Sequence, residues 1–223
     1  MKVQDILSEA PLPPDWDPAE FKQQGTTFKS RLAYALDRAQ KIGAGSSRVA
    51  MTIEYQGRQT VLKIAKNRKG LAQNAEEVRI LDDGYASQLH ILIPLIDYDR
   101  EHTQPLWVQT ELARPTRETE LCDLIKCPNL NFLISYARSI EGRQLFLDQP
   151  RAYQEKMREI GKTDDEIEQC TEYANTLAEL SGSFDIELND FVRAANWGIY
   201  QGRPVVIDLG FTSDTQALYR ESK

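Results

Sequence analysis

From Phe28 onward apolar residues recur at helical spacing: Phe28, Leu32, Ala35, Leu36 and Ala39 fall on one face. Thr27 precedes them as an N-cap, and the pattern predicts a helix ending near Lys41, before Gly43. From Ile42 the period shortens to two. Val49, Met51 and Ile53 alternate with polar neighbours, Tyr55-Gln56-Gly57-Arg58 supplies a turn, and Val61 to Ala65 resumes an extended run. That is strand, hairpin turn and strand. A polar segment, Asn67 to Gln73, leads to a helix of about ten residues carrying Glu76, Glu77, Val78, Ile80 and Leu81. Ile91 to Ile96 and Leu106 to Thr110 read as further strands. Pro94 confines the first to a sheet edge or interrupts it.

Beyond Glu111 the periodicity turns helical. Phe132, Leu133, Tyr136, Ala137 and Ile140 mark one helix, and Tyr153, Met157 and Ile160 a shorter one. Thr163-Asp164-Asp165-Glu166 is a capping box opening a third, through Ile167, Cys170, Ala174, Leu177 and Ala178. A loop from Ser181 follows, then two short strands flanking Gln201-Gly202. The first residues, to about position 24, are punctuated by Pro11, Pro13, Pro14 and Pro18 and read as an irregular arm that Trp16 pins to the body. A sheet with one inserted helix, then helices, then a hairpin implies two unequal lobes joined near Glu111 to Pro115.

The totals narrow the function classes. With 223 residues, 41% hydrophobic and 27% charged, the chain has the makings of a folded soluble protein. Its net charge of -7 and its lack of a basic face argue against a nucleic-acid partner. No apolar run is long enough to cross a bilayer, and Met1 to Asp5 lacks the start of a secretion signal. Three cysteines without a C-x-x-C point to a reducing compartment, so a cytoplasmic location is expected. His90 and His102 make no metal-ligand spacing with them.

Four features carry candidate chemistry. Gly43-Ala44-Gly45 lies between two extended stretches, either as a plain turn or as a place where backbone N–H groups approach phosphate oxygens. Lys63 stands among Val61, Leu62, Ile64 and Ala65, either snorkelling or aimed at a ligand. Glu76 or Glu77, if turned inward, would give that ammonium its counter-charge. Finally, Val205-Val206-Ile207 runs straight into Asp208-Leu209-Gly210, and Asp190 and Asn196 lie on the loop before. An aspartate there is a turn residue or, with the Asn196 amide, a pair of hard oxygen ligands suited to Mg²⁺.

In order along the chain, these features resemble the protein-kinase signature. Through "GAGSSRVA", "VLKIAKNRKGLAQNAEEV", "LWVQTELARP" and "DFVRAANWGIYQGRPVVIDLGFT" the chain looks like a member of the protein-kinase-like superfamily. More narrowly, it resembles the small kinase-like proteins encoded by tailed bacteriophages. The resemblance implies an α+β, two-lobed protein-kinase-like fold, with an antiparallel-sheet N-lobe (25–113) after the arm (1–24) and a reduced, mostly helical C-lobe (114–223). It implies ATP and Mg²⁺ as cofactors. Gly43 and Gly45 would cover the phosphates. Lys63 would contact the α- and β-phosphates, with Glu77 as its partner and Glu76 as the alternative. Glu111 to Ala113 would offer backbone groups to an adenine. Asn196 and Asp208 would hold the metal, and Asp190 would be the base for the accepting hydroxyl.

The sequence departs from that signature in places. Asn189 precedes Asp190 without a His-Arg-Asp triplet, Phe191 stands where an aspartate is usual, and Asn196 is six residues on rather than five. Fifteen residues follow Asp208, too few for the lower helices on which peptide substrates dock. The expectation is therefore a small-molecule or atypical phosphotransferase, or a pseudokinase that binds nucleotide and acts as an inhibitory or binding module on a host protein.

Overall fold

The computed structural model describes residues 16–23, 27–142, 149–209, 212 and 215. Pro11, Pro13, Pro14 and Gly210 lie outside these. The architecture is α+β and two-lobed, an antiparallel-sheet part followed by a mostly helical part, each with its own hydrophobic core. Its N-lobe is a five-stranded antiparallel sheet in the order β1-β2-β3-β5-β4, built from β1 (Ala39–Ala44), β2 (Arg48–Tyr55), β3 (Arg58–Ala65), β4 (Leu95–Tyr98) and β5 (Trp107–Glu111). One helix, α3 (Arg68–Leu81), is inserted between β3 and β4.

Alternation decides which way each strand faces. Val49, Met51 and Ile53 of β2 and Leu62 and Ile64 of β3 turn to one side. There they meet Trp107, two short helices, α1 (Pro18–Gln23) and α2 (Phe28–Leu36), and Trp16. Trp16 is 2% exposed and its backbone N–H donates to the Glu54 carbonyl at 2.8 Å, so the described end of the arm is held against the sheet. Part of that arm is not irregular. Pro18 begins α1, where a missing N–H costs nothing. The α2 helix starts at its Thr27 cap but stops at Leu36, and Ala39 already pairs with Ile53 in β1. The sheet's demand for a partner along β2 takes these residues away from the helical pattern. At the β2–β3 turn Gln56 and Gly57 have φ of 51° and 72°, the paired positive values of a tight hairpin.

The helix of the polar segment is longer than its apolar residues suggest. Asn67 caps it, accepting from Gly70 N–H at 3.2 Å, and the run to Gln73 forms its first half. β4 is an edge strand, as expected, but it begins at Leu95, after Pro94. The residues before it, Ile91 to Ile93, instead dock on the far lobe through Val206.

The C-lobe is built from α4 (Glu118–Ile125), α5 (Leu130–Glu141), α6 (Gln149–Glu159) and α7 (Asp164–Phe184). A small sheet, β6 (Arg114–Pro115), β7 (Trp197–Tyr200) and β8 (Arg203–Val206), completes it. The capping box at Thr163 and Glu166 is formed, but α7 runs on to Phe184, past the loop expected from Ser181. Leu177, Leu180 and Phe184 keep its buried face continuous. Ile160 lies beyond α6 and is 58% exposed, so it is not part of that helix's apolar face. Cys122, Cys127 and Cys170 are buried free thiols in this core. Burial pushes Cys170 up to about 12, far from a reactive thiolate. No helix among the described residues is long and apolar enough to cross a membrane.

Candidate functional site

A cleft of ≈ 540 Å³ opens where the sheet's other face meets the C-lobe. Since Val49 and Met51 face the core, Arg48 and Ala50 must face the other way. Ala50 is paired with Lys63, so the same face carries Val61 and Lys63. Gly43 and Gly45 roof one end of the cleft, and Thr110, Glu111 and Ala113 line its side. Arg193, Ala195, Ile207 and Asp208 close it from below. The structure thus brings Gly43, Gly45, Lys63, Glu111, Ala113 and Asp208 to one cavity.

Lys63 is 7% exposed, and its ammonium is bonded to the Glu77 carboxylate, itself fully buried on α3. The same ammonium donates to the Ile207 carbonyl at 2.7 Å, so it spans the two lobes. Glu76 lies elsewhere, paired with Arg79 at 2.7 Å, and Arg79 also caps the Phe184 carbonyl of α7. Between the two glutamates the geometry selects Glu77.

The second oxygen of Glu77 is taken by Arg48, which is not among the candidate residues named from the sequence. Arg48 is 8% exposed. Its Nη2 reaches Asp208 Oδ1 at 2.5 Å, and its Nη1 also lies 3.4 Å from Asn74 Oδ1. Burial alone would lower its pKa, but the carboxylates of Glu77 and Asp208 outweigh that and raise it, so it stays charged. Its signal was present in the alternation: with Val49, Met51 and Ile53 inside, Arg48 is fixed on the face of Lys63.

The Gly-rich turn is tied down rather than free. Lys66 Nζ donates to the Gly45 carbonyl at 2.6 Å, Asn67 Nδ2 to that of Ser46 at 3.2 Å, and Lys66 N–H to that of Ser47 at 2.8 Å. Neither Gly43 nor Gly45 has a left-handed backbone. What they contribute is an absence of side chain over the cavity.

At the lower wall β8 ends at Val206, two residues before Asp208, and the Ile207 N–H donates to the Asn196 carbonyl at 2.9 Å in the register of the β7–β8 pair. Val205, Val206 and Leu209 are buried, which holds Asp208 at the cleft mouth with its own side chain half exposed. Asp190 and Asn196 do not line the cavity, although Arg193 and Ala195 from the same loop do. Asn196 Nδ2 donates to the Asp190 carbonyl at 2.8 Å, and that fixes which end of the amide is the acceptor. Trp197 Nε1 donates to the Phe191 carbonyl at 2.9 Å, so fully buried Phe191 serves as the loop's anchor, not as a ligand.

Asp190 is a titratable group of this loop whose carboxyl is shifted well above its ordinary value. Burial first, then the nearby charges of Asp208 and Glu187, push its carboxyl from 3.8 up to about 6 against the opposing pull of Arg193. The folded state therefore holds this proton more tightly than the unfolded chain, and stability falls as pH rises from about 4 to 6. Asp190→Asn is expected to stabilise the protein at pH 7.5 by about 1 kcal/mol, allowing for the group's exposure to water. That is roughly 2–4 °C in Tm. The gain shrinks as pH is lowered toward 4, and thermal melts across that range check it.

No family model matches the sequence, and no curated protein matches it. Among solved structures, two thermostable variants of the aminoglycoside phosphotransferase APH(4)-Ia are similar in part. One, in a ternary complex with ADP and hygromycin B, is 14% identical over 52% of this chain and 38% of that one, with a TM-score of 0.28. The other, with AMP-PNP and hygromycin B, is 13% identical over 82% and 70%, with a TM-score of 0.34. At these TM-scores neither likeness bears on what this chain binds.

Proposed function

We propose that the chain binds ATP in this cleft and is a kinase-like phosphotransferase of the small, phage-encoded type, its lobes divided at residues 113 and 114. The observation that carries this reading is the buried Lys63–Glu77 pair on the wall of a cleft roofed by the Gly-rich turn. A cation is stable there because a carboxylate matches it, and it faces a space fit for an anion. Lys63 holds the α- and β-phosphates, Gly43 and Gly45 cover them, and Glu77 keeps the ammonium in place. Glu111 and Ala113 offer backbone groups to the base. Asp190, with its raised carboxyl, takes the proton of an accepting hydroxyl.

The donor chemistry fits Mg²⁺. Asp208 supplies a carboxylate, and the Asn196 amide has its nitrogen committed to Asp190, leaving its oxygen as a ligand. Among the described residues no group of three or more His, Cys, Asp or Glu could hold a metal. An ion here would therefore take its remaining ligands from phosphates and water. When bound, it neutralises phosphate charge during transfer.

The test is a thermal-shift titration with ATP and Mg²⁺. ATP at one hundred times Kd should stabilise the native protein by about 2.7 kcal/mol. Lys63→Met keeps Glu77 paired with Arg48 and should weaken binding about 10–100-fold, the worth of a charge-assisted bond. No stabilisation of the native protein at millimolar ATP would sink the reading. The Arg48–Asp208 ion pair favours a second reading, a pseudokinase that binds nucleotide and acts on a host protein. Phosphoryl transfer from labelled ATP, lost in Asp190→Asn, separates the two.

A further inference from the structure

In a nucleotide cleft, an aspartate at the mouth repels polyphosphate unless something neutralises it first. Here a residue of the chain already does so. Arg48 spans Glu77 and Asp208, one from α3 and one from the lower lobe. Of the charged groups at the cleft, Glu111 is paired with Arg58; Arg48, Lys63 and Arg193 then stand against Glu77 and Asp208, a balance positive by one unit before any metal enters. The guanidinium has five N–H donors in a plane. Nη1 uses its hydrogens on Glu77 and Asn74, and Nη2 one on Asp208. A second Nη2 hydrogen and Nε–H are left for the oxygens of a ligand, and a planar fork suits phosphate geometry.

We propose that Arg48 is a further polyphosphate-anchoring residue of this cleft, and that by neutralising Asp208 it lets a nucleoside triphosphate bind without a divalent cation. This rests on the nucleotide reading above and adds to it: binding and metal are separable, with the metal reserved for transfer. The Gly-rich turn supports the role, since its bonds to Lys66 and Asn67 hold the start of β2, and so Arg48, in a fixed place. Arg48 begins β2 opposite Ala65, two positions along from the Ala50–Lys63 pair, so both cations reach the same phosphates from one strand pair.

The experiment is calorimetric titration of the full chain with ATP, in excess EDTA and in excess Mg²⁺. For the native protein the two dissociation constants should differ by less than about threefold. Arg48→Gln leaves Glu77 bonded to Lys63. In EDTA it should bind about 10–100-fold more weakly, because one charge-assisted contact to phosphate is lost and Asp208 loses the counter-charge of Arg48. Mg²⁺ should restore most of that loss by taking over Asp208, a rescue that a merely structural role for Arg48 would not give. Native protein that binds ATP only with Mg²⁺ overturns this inference and leaves the nucleotide reading standing. Native protein that binds in neither buffer overturns both. Arg48→Gln binding as tightly as native in EDTA removes Arg48 from the site. If that variant does not fold, the native comparison alone still decides.

Discussion

Glu77→Ala is expected to cost the fold about 3–5 kcal/mol, the usual consequence of removing one partner from a buried ion network. The residue is fully buried and accepts from two cations at once, Lys63 and Arg48, which are themselves 7% and 8% exposed. Without it, Arg48 keeps Asp208, but Lys63 keeps only the Ile207 carbonyl. An ammonium held by one carbonyl in a nearly dry site loses most of what offset its desolvation. Urea titration should show the midpoint fall with little change in slope. The double variant Glu77→Ala/Lys63→Met should be more stable than Glu77→Ala alone, since replacing both partners removes the uncompensated charge. A loss below about 1 kcal/mol in the single variant would mean that both cations already reach water.

That network explains what the sequence could and could not disclose. Lys63 was legible because a lysine amid Val61, Leu62 and Ile64 contradicts its neighbours' preference for burial. Asp208 was legible for the same reason, as a carboxylate ending an apolar run. Arg48 carried no motif of its own, although period-two alternation with Val49, Met51 and Ile53 inside places it on the face of Lys63. The choice between Glu76 and Glu77 needed the helix's rotation about its axis, which depends on how α3 packs against β3 and β5. Adjacent residues on a helix point about 100° apart, so a modest turn exchanges the inside and outside glutamate.

The fold's larger features followed from pattern, and its boundaries did not. Hairpins at Gln56-Gly57 and Gln201-Gly202 were legible because both pairs adopt positive φ, and glycine signals that need. Helix ends were misplaced where a tertiary demand overrode the local one. Pairing of Ala39 with β2 shortened α2, while the buried stripe through Leu180 and Phe184 lengthened α7. The α4 helix was missed because Leu121, Cys122 and Ile125 make too short an apolar stripe to stand out. In the loop from Asp190 to Asn196, no pattern announced that these two residues would be joined by a carbonyl–amide bond. Such a contact joins backbone to side chain across six residues and leaves no periodicity.

Gly70→Ala should also destabilise the fold, for a steric reason. A methyl group at this position would lie 2.2 Å from the Ser47 carbonyl oxygen, 3.0 Å from its carbon and 3.1 Å from the Ala65 Cα. All three are backbone atoms, so no side chain can swing aside. Alanine favours helix over glycine by about 1 kcal/mol, so propensity alone predicts stabilisation. The contact reverses the sign, because overpacking against fixed backbone costs about 1–3 kcal/mol or more. The damage also reaches the cleft. Ser47 is bonded to Lys66 through its carbonyl and to Gln73 through its hydroxyl, and it immediately precedes Arg48. Pushing α3 off the turn moves Gly45, Arg48 and Glu77 relative to one another. We expect Gly70→Ala to lower Tm by roughly 4 °C or more and to weaken ATP binding at least tenfold. Gly84→Ala, where nothing lies within 4 Å of the added carbon, should change neither. A Gly70→Ala protein as stable as native would show that α3 and the Gly-rich turn separate freely, and the fixed roof argued for this cleft would not exist.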